Sequence, residues 1–229
     1  MGTDVPESLR PAGPPVVLFD FDGVVRNWRT AVTRALDRRM GLPAGTFEAT
    51  AHAVPEYELG VLGRVTFDDW CAAVAEALAR VISAADAADA VDEWRRYRGD
   101  LDARMVELIE AVKVTARVGL VSNAHDCLRS DLRALGVDEL FEHVTCSAEL
   151  GAAKPSRAIY LAAAEAFGVT PFSCVFIDDR PDNVHAAQLA GMRSEQFQDP
   201  SSCEAFIRSA LHWEANPRHV RTGPAARPT

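Results

Sequence analysis

Three apolar segments without polar alternation constrain the fold of this chain more than any other feature. They occupy residues 15–20, 113–122 and 174–178. Such segments predict strands that are covered on both faces, as in parallel sheets. Weaker strands are predicted at residues 143–146 and 194–197, and helical patterns lie at residues 126–136, 156–168 and 182–190. This βαβ alternation predicts an α/β protein with an open, doubly wound parallel sheet.

Residues 28–99 interrupt that alternation with helical patterns and no convincing strand. Trp28 begins a set of apolar residues at every fourth position, which predicts one packed helical face. Thr66 is followed three residues later by Asp69, a pattern typical of a helix N-terminus. Another helical pattern covers residues 84–98. We therefore expect a helical subdomain inserted between the first strand and the next βα unit.

The rest of the domain organisation follows from where apolar side chains are scarce. Residues 1–13 and 214–229 contain several prolines and little to bury, and we expect both to be disordered tails. The predicted α/β core therefore comprises residues 14–27 and 100–213, with the helical insert at residues 28–99.

Charge and cysteine content exclude several classes of partner and place the chain in a compartment. The chain has 24 lysines and arginines against 33 aspartates and glutamates, a net charge of −9. Binders of nucleic acid or of anionic membranes need a basic face, so we expect neither partner. The five cysteines are scattered without a C-x-x-C pair, which favours reduced thiols and a cytoplasmic location. We see no membrane span and no signal peptide.

Polar side chains occupy the ends of the three strongest predicted strands. They are Asp20 and Asp22, Ser122 and Asn123, and Asp178 and Asp179. Ligands of open parallel sheets bind beyond the carboxyl ends of the strands, so we expect these side chains to meet. A carboxylate at a strand tip can act as the nucleophile in phosphoryl transfer. A second one two residues later can act as general acid and then base, which is the spacing of Asp20 and Asp22.

Several carboxylates at one place repel one another, so we expect positive charge among them. Oxygen ligands and several carboxylates at one place favour Mg²⁺ as the cation. Lys154, which precedes Pro155 in a predicted loop, is one of only two lysines, and the other is Lys113. A compact ammonium there would neutralise both the nucleophile and a bound phosphate. Gly23 allows the tight turn that brings backbone close to a ligand.

Four segments, in this order, resemble the four motifs of the haloacid dehalogenase (HAD) superfamily. They are VVLFDFDGVV at residues 16–25, VSN at 121–123, KP at 154–155 with AIY at 158–160, and FIDDRPDN at 176–183. The resemblance extends over residues 16–198. It implies a Rossmann-like core with an all-α cap of the C1 type inserted after the first motif. One departure, Ser156-Arg157 after Lys-Pro, falls at a position without a catalytic role.

The resemblance also implies a role for each matching residue. Asp20 would be the nucleophile and a Mg²⁺ ligand. Asp22 would be the general acid/base and offer its backbone carbonyl to the metal. Ser122, with the backbone of Asn123, would bind the transferring phosphoryl oxygens, and Lys154 would stabilise the nucleophile and the intermediate.

The fourth motif and the insert supply further candidates. The resemblance implies that Asp178 ligates Mg²⁺ directly, and that Asp179 holds either a water on the metal or Lys154. Asp182 and Asn183 would support the site from farther away. Arg64 lies in a loop similar to the one that faces the site in capped relatives, and we expect it to contact substrate.

Residues that directly follow the first and second motifs are further candidates. Arg26, Asn27 and Trp28 follow the nucleophile loop into the insert, where they can line the entrance to the site. Core packing is nevertheless the expectation for Trp28, from its place in the helical pattern. His125 follows the second motif, and we expect it on the surface at a helix N-terminus.

The resemblance implies an enzyme, a Mg²⁺-dependent phosphatase that hydrolyses a small phosphorylated metabolite through an aspartyl-phosphate. A monomer or a homodimer is expected. Asp22 and the second acidic pair favour phosphate chemistry, because the dehalogenases of this superfamily usually lack an Asp at that position and use no Mg²⁺. Three alternatives stay open: a phosphomutase, a haloacid dehalogenase, and a non-catalytic binding or regulatory protein.

Overall fold

A computed structural model describes residues 14–215, and the side chains of residues 14–211. The strands are β1 (Val16–Phe19), β2 (Arg26–Asn27), β3 (Asp100–Leu101), β4 (Arg117–Ser122), β5 (His143–Cys146), β6 (Cys174–Asp178) and β7 (Arg193–Gln196). The helices are α1 (Thr30–Arg39), α2 (Thr46–Ala53), α3 (Glu56–Val61), α4 (Phe67–Leu78), α5 (Ala84–Trp94), α6 (Ala103–Val112), α7 (Leu128–Leu135), α8 (Ser147–Leu150), α9 (Arg157–Ala166), α10 (Pro181–Ala190) and α11 (Pro200–Ala215). The predicted tails lie outside the described residues, except that α11 includes the first two residues of the segment 214–229.

Five strands form one parallel sheet in the order β5-β4-β1-β6-β7. Strand β1 lies at its centre, where Leu18 is paired with Gly119 of β4 and with Phe176 of β6. The chain builds β4 and β5 on one side of β1 and then β6 and β7 on the other. The strand order therefore reverses at β1, and the crevice at such a point is where open α/β sheets bind ligands. The predicted doubly wound α/β fold is confirmed.

Helices cover both faces of the sheet, which explains why its strands are apolar without alternation. Val17 and Phe19 of β1 belong to one buried cluster with side chains of α6, α7 and α11. Val16 and Leu18 belong to a second cluster with side chains of α9 and α10. No helix within residues 14–215 has both the length and the apolar character needed to cross a membrane.

Helices α1–α5 lie between β2 and β3, within the range in which the sequence predicts an insert. They have a core of their own, in which Leu36, Phe47 and Trp70 are buried. Helix α4 begins with the predicted capping arrangement, since the Thr66 hydroxyl accepts from the Asp69 amide and the Asp69 carboxylate accepts from the Thr66 amide. The antiparallel ribbon of β2 and β3 joins this cap to the core.

Two local predictions are wrong, each for a physical reason. Residues 113–116 are not strand, because their amides donate to carbonyls of the last turn of α6, so that β4 begins only at Arg117. Trp28 does not open a buried helical face, because it precedes α1 and its side chain is 46% exposed. Its indole N–H instead donates to the Asp22 carboxylate at 2.7 Å.

Candidate active site

The carboxyl ends of three adjacent strands bring Asp20, Ser122 and Asp178 to one edge of the sheet. Asp20 directly follows β1 and its amide donates to the Ile177 carbonyl at 2.8 Å. Ser122 is the last residue of β4 and Asp178 is the last of β6. All three are buried, with exposed fractions of 5%, 1% and 0%.

The Lys154 ammonium is buried between two of these carboxylates. Its Nζ lies 2.6 Å from Asp20 Oδ1 and 2.8 Å from Asp178 Oδ2, and it donates to the Val121 carbonyl at 3.0 Å. These three acceptors match the three hydrogens of the ammonium. The Asn123 side chain holds the Lys154 backbone, accepting from its N–H at 2.7 Å and donating to its carbonyl at 2.9 Å. This contact was not indicated by the sequence.

Burial and crowding alter the titration of these groups. Burial raises the pKa of Asp20 to about 8, while Lys154 acts to lower that pKa and Asp178 adds to the rise. Burial, and after it Asp178, also raises the pKa of Asp179. For Lys154, burial acts to lower the pKa, but the Asp20 and Asp178 carboxylates outweigh it and raise the pKa. The carboxylates outnumber the ammonium, so further positive charge would stabilise their ionised forms.

Asp20, Asp178 and Asp179 form a carboxylate cluster whose chemistry fits a divalent cation. One oxygen from each lies within 4.8 Å of the others. Asp178 is held in place by the Arg180 amide at 2.8 Å and by Asn183 Nδ2, which donates to its two oxygens at 3.0 and 3.1 Å. An all-oxygen donor set with excess negative charge suits Mg²⁺. The sequence predicts that Asp179 holds a water on the metal or Lys154, whereas in the structure it contributes an oxygen to the cluster itself.

The turn after β1 brings backbone close to this carboxylate cluster. Gly23 has φ of +85°, a conformation that glycine adopts at little cost. A Cβ at this position would collide with Asp179 Oδ2. Glycine is therefore required at this position for two reasons, its positive φ and its close approach to Asp179.

Two atoms at the edge of the sheet are available to a ligand. Asp20 Oδ1 accepts from Lys154 and from the Phe21 amide at 2.7 Å, whereas Asp20 Oδ2 receives no hydrogen bond from the described residues. The Ser122 hydroxyl is buried and has no hydrogen-bond partner within the described part of the chain. Leaving such a group unpaired costs about 1–3 kcal/mol, so a ligand atom that bonds to it would be favoured.

The Asp22 carboxylate lies outside the cluster and has partners of its own. It accepts from Arg26 Nε at 2.7 Å, from Arg26 Nη2 at 3.0 Å and from Trp28 Nε1 at 2.7 Å. Arg26 and Trp28, which the sequence places at the entrance to the site, are therefore partners of Asp22. The metal contact expected from the Asp22 backbone carbonyl stays a prediction.

Two candidates are not joined to the cluster by their side chains. Arg64 is exposed, and its side chain makes no hydrogen bond or ion pair with the described residues. The loop that contains it does touch the core, because a Cβ on Gly63 would collide with the Ala148 carbonyl. Asp182 is exposed in the first turn of α10. Both proposed roles stay predictions.

His125 is buried, so the prediction of a surface residue is wrong. The cap covers it: its Nε2 lies 3.1 Å from the Tyr57 carbonyl, and its ring centroid lies 4.4 Å from that of Trp70 and 6.0 Å from that of Phe67. The neighbouring Asp126 side chain accepts from the Phe67 amide at 2.9 Å. His125 thus joins the cap to the loop after β4, and no sequence signal identifies such a contact.

Comparison with known proteins shows which family and which relatives this chain is similar to. The model of a family described as haloacid dehalogenase-like hydrolases matches residues 14–191. A curated Mycobacterium tuberculosis protein named as a phosphatase is 32% identical over 191 residues, which cover 78% of this chain and 84% of that protein.

Solved structures show a shared fold. A HAD family enzyme from Bacteroides thetaiotaomicron, in a magnesium complex, has a TM-score of 0.67 and 22% identity, covering 86% of this chain and 99% of its own. A structure described as a dehalogenase has a TM-score of 0.68 and 18% identity, covering 85% and 97%. At these identities the likeness is one of fold.

Proposed function

The chain belongs to the haloacid dehalogenase-like hydrolases, and we propose that it is a Mg²⁺-dependent phosphatase acting through an aspartyl-phosphate intermediate. The environment of Asp20 carries the proposal. One of its oxygens is bound by Lys154 and the Phe21 amide, while the other receives no hydrogen bond from the part of the chain that the structure describes, and Asp20 belongs to the carboxylate cluster. A buried carboxylate with one free oxygen, beside a place for a divalent cation, suits in-line attack on phosphorus.

The substrate we propose is a small phosphorylated metabolite. The relative named as a phosphatase supports phosphate chemistry. The cap lies over the edge of the sheet, as shown by the contact of His125 with Tyr57, which suits a small molecule better than a polymer. All five cysteines are free thiols, in keeping with a cytoplasmic enzyme.

In the first step we propose that Asp20 Oδ2 attacks phosphorus while the bond from phosphorus to the leaving oxygen breaks. Asp22 gives its proton to that oxygen. Lys154 holds Asp20 Oδ1, which directs the free oxygen, and the unpaired Ser122 hydroxyl binds a phosphoryl oxygen together with the backbone N–H of Asn123. Preorganised charge and hydrogen bonds of this kind supply most of the rate in phosphoryl transfer.

In the second step Asp22, now a carboxylate, takes a proton from water as that water attacks phosphorus and releases Asp20. Asp20, Asp178 and Asp179, with the Asp22 carbonyl, would hold Mg²⁺. When bound, the ion offsets the negative charge of these carboxylates and of the phosphoryl group.

The presence of Asp22 favours this reaction over dehalogenation, because a halide leaves without a proton. A phosphomutase shares the first step and differs in the acceptor of the second. A non-catalytic protein would have no use for a free, buried Asp20 oxygen beside the cluster.

The test measures phosphate release from a panel of sugar phosphates, nucleotides and phosphorylated acids, with Mg²⁺ and with chelator. We expect turnover of at least one ester that needs Mg²⁺ and disappears in Asp20→Asn, with deamidation excluded by mass spectrometry. Asp89→Asn, which alters an exposed acid on α5, serves as the matched control.

Each alternative has its own outcome in this test. An isomerised sugar phosphate that forms only with a bisphosphate primer would identify a phosphomutase. Fluoride release from fluoroacetate would identify a dehalogenase. The absence of any turnover would favour a binding protein.

A further inference from the structure

Arg26 makes a two-point contact with the predicted acid/base residue. It is the first residue of β2 and is only 3% exposed. Its Nε donates to Asp22 Oδ1 at 2.7 Å and its Nη2 donates to Asp22 Oδ2 at 3.0 Å. A fork of this kind fixes the plane of a carboxylate as well as its distance, which a single point charge does not.

The rest of the Arg26 guanidinium is held equally firmly. Its Nη1 donates to Asp131 Oδ2 at 3.0 Å and to the Arg98 carbonyl at 3.3 Å. Its central carbon lies 4.4 Å from the ring centroids of both Phe21 and Trp28. Asp131 is in turn bound by Arg98 Nη1 at 2.6 Å. The guanidinium therefore cannot rotate without breaking buried contacts.

The two carboxylate oxygens of Asp22 accept different numbers of hydrogen bonds. Oδ1 accepts two donors, Arg26 Nε and the Trp28 indole N–H, whereas Oδ2 accepts from Arg26 Nη2 alone. A carboxylate oxygen can take part in two such bonds. Oδ2 thus keeps a position for a proton, and Oδ1 does not.

We propose that Arg26 is a positioning residue that presents Asp22 Oδ2 as the atom that transfers the proton. This rests on the proposed function, in which the bond from phosphorus to the leaving oxygen breaks, the bond to Asp20 forms, and the Asp22 proton moves to the leaving oxygen. Arg26 acts through Asp22 and not on the substrate. No motif quoted above assigns it a role.

The rival account makes Arg26 only a brace for the ribbon that joins the cap to the core. Arg26 pairs with Leu101 of β3, and its contact with Asp131 ties the ribbon to α7. A brace affects stability and slows every substrate alike. A positioning residue for proton transfer matters most where the leaving group needs a proton.

The test compares Arg26→Lys with the wild type on 4-nitrophenyl phosphate, phenyl phosphate and an alkyl phosphate. Lysine keeps the charge but loses the fork. We expect kcat/KM to fall by about 10-fold or more on the alkyl ester and by less than about 3-fold on the nitrophenyl ester, since general acid catalysis contributes about 10²–10⁴-fold. Equal losses on all three esters would overturn the proposal.

The chain offers a matched control. Arg117 also forms a fork, in which its Nε and Nη2 donate to the two Glu142 carboxylate oxygens, and its guanidinium carbon lies 4.7 Å from the Phe167 ring centroid. Arg117→Lys should leave the ranking of the three esters unchanged. If Arg26→Lys does not fold, Asp131→Asn replaces it, because this change weakens the support of Arg26 without touching Asp22, and the same selective loss is expected.

A second measurement separates this proposal from the proposed function, because it needs no turnover. The Trp28 indole N–H is followed by nitrogen-15 NMR and assigned with Trp28→Phe. Arg26→Lys should move its resonance more in the wild-type background than in an Asp22→Asn background, because both lose the ring contact of Arg26 with Trp28 and only the first also loses the positioning of the Asp22 carboxylate. Arg117→Lys should leave the resonance in place. Equal shifts in the two backgrounds would overturn the positioning role, whereas a wild type that cleaves no ester contradicts the function alone.

Discussion

Lys154 offsets part of the negative charge of the candidate site. Its side chain is 1% exposed, and the side chains of the two carboxylates that it contacts are 8% and 0% exposed. A buried ion pair adds little net stability, but the loss of one partner leaves the other charge uncompensated. The second lysine of the chain, Lys113, is exposed and donates to a backbone carbonyl. The two lysines therefore form a natural comparison.

Lys154→Met in metal-free buffer should lower the free energy of unfolding by about 3–5 kcal/mol, because Asp20 and Asp178 lose their buried partner. Lys113→Met should change it by no more than about 0.5 kcal/mol, as is usual at surface positions. Urea denaturation measures both. Similar values for the two variants would show that Lys154 does not compensate the carboxylates.

Asp20, Ser122 and Asp178 could be named from the sequence because each lies at the end of a strand within one short segment. Arg26 and His125 could not. Arg26 depends on Asp131, 105 residues away, and His125 on Tyr57, 68 residues away. Contacts at such separations follow from the folding of the cap onto the core and leave no local pattern.

Among the elements, the buried strands were the most predictable. Strand β6 is buried throughout and has the bounds that the sequence predicts, since its residues fill the space between two helical layers. The edge strand β5 also has the predicted bounds, although three of its four residues are only partly buried. The β2–β3 ribbon was not predicted, because each strand has two residues and its partner lies across the whole cap. The turn that connects β1 to this ribbon contains Gly23, and its conformation can be tested directly.

Gly23→Ala should reduce stability more than Gly41→Ala. Both glycines have positive φ, +85° and +67°, which costs a residue with a Cβ about 1–2 kcal/mol. Nothing lies within 4 Å of a Cβ at Gly41, whereas a Cβ at Gly23 would collide with Asp179. Unfolding free energies and Mg²⁺ titrations measure the difference, and only Gly23→Ala should also need more Mg²⁺ for half-saturation. Equal behaviour of the two variants would contradict the close approach of Gly23 to Asp179.

At the scale of the whole molecule, His125 and the ring cluster around it join the cap to the core. Burial lowers the pKa of His125 below its usual 6.5, and this outweighs the Tyr57 carbonyl and Asp126, which act to raise it. The buried imidazole is therefore neutral. Its contribution to stability is fully present above pH 6.5 and is lost as the pH falls below that value.

Between about pH 7.5 and about pH 5.5, the wild type should lose more unfolding free energy than His125→Phe, because phenylalanine fills the same space without taking up a proton. The other titrating groups are common to both proteins, so the difference isolates His125. Urea denaturation at the two pH values measures it. An equal or smaller loss in the wild type would contradict a buried, neutral His125 between cap and core.

The net charge of −9 is also a property of the whole molecule, and it does not prevent the binding of an anion. The field that a phosphate would meet is set locally, by Lys154 and by a cation in the carboxylate cluster. We propose that the phosphoryl group is transferred to Asp20 at this place before water removes it.

Trapping the intermediate tests this claim most directly. The enzyme, mixed with Mg²⁺ and a substrate that it turns over, is quenched in acid and reduced with sodium borohydride, which converts an aspartyl-phosphate to homoserine. Mass spectrometry of the digested protein should find homoserine at position 20, and none when substrate is omitted. A substrate that is turned over with no homoserine at that position, or with homoserine at another aspartate, would contradict the account.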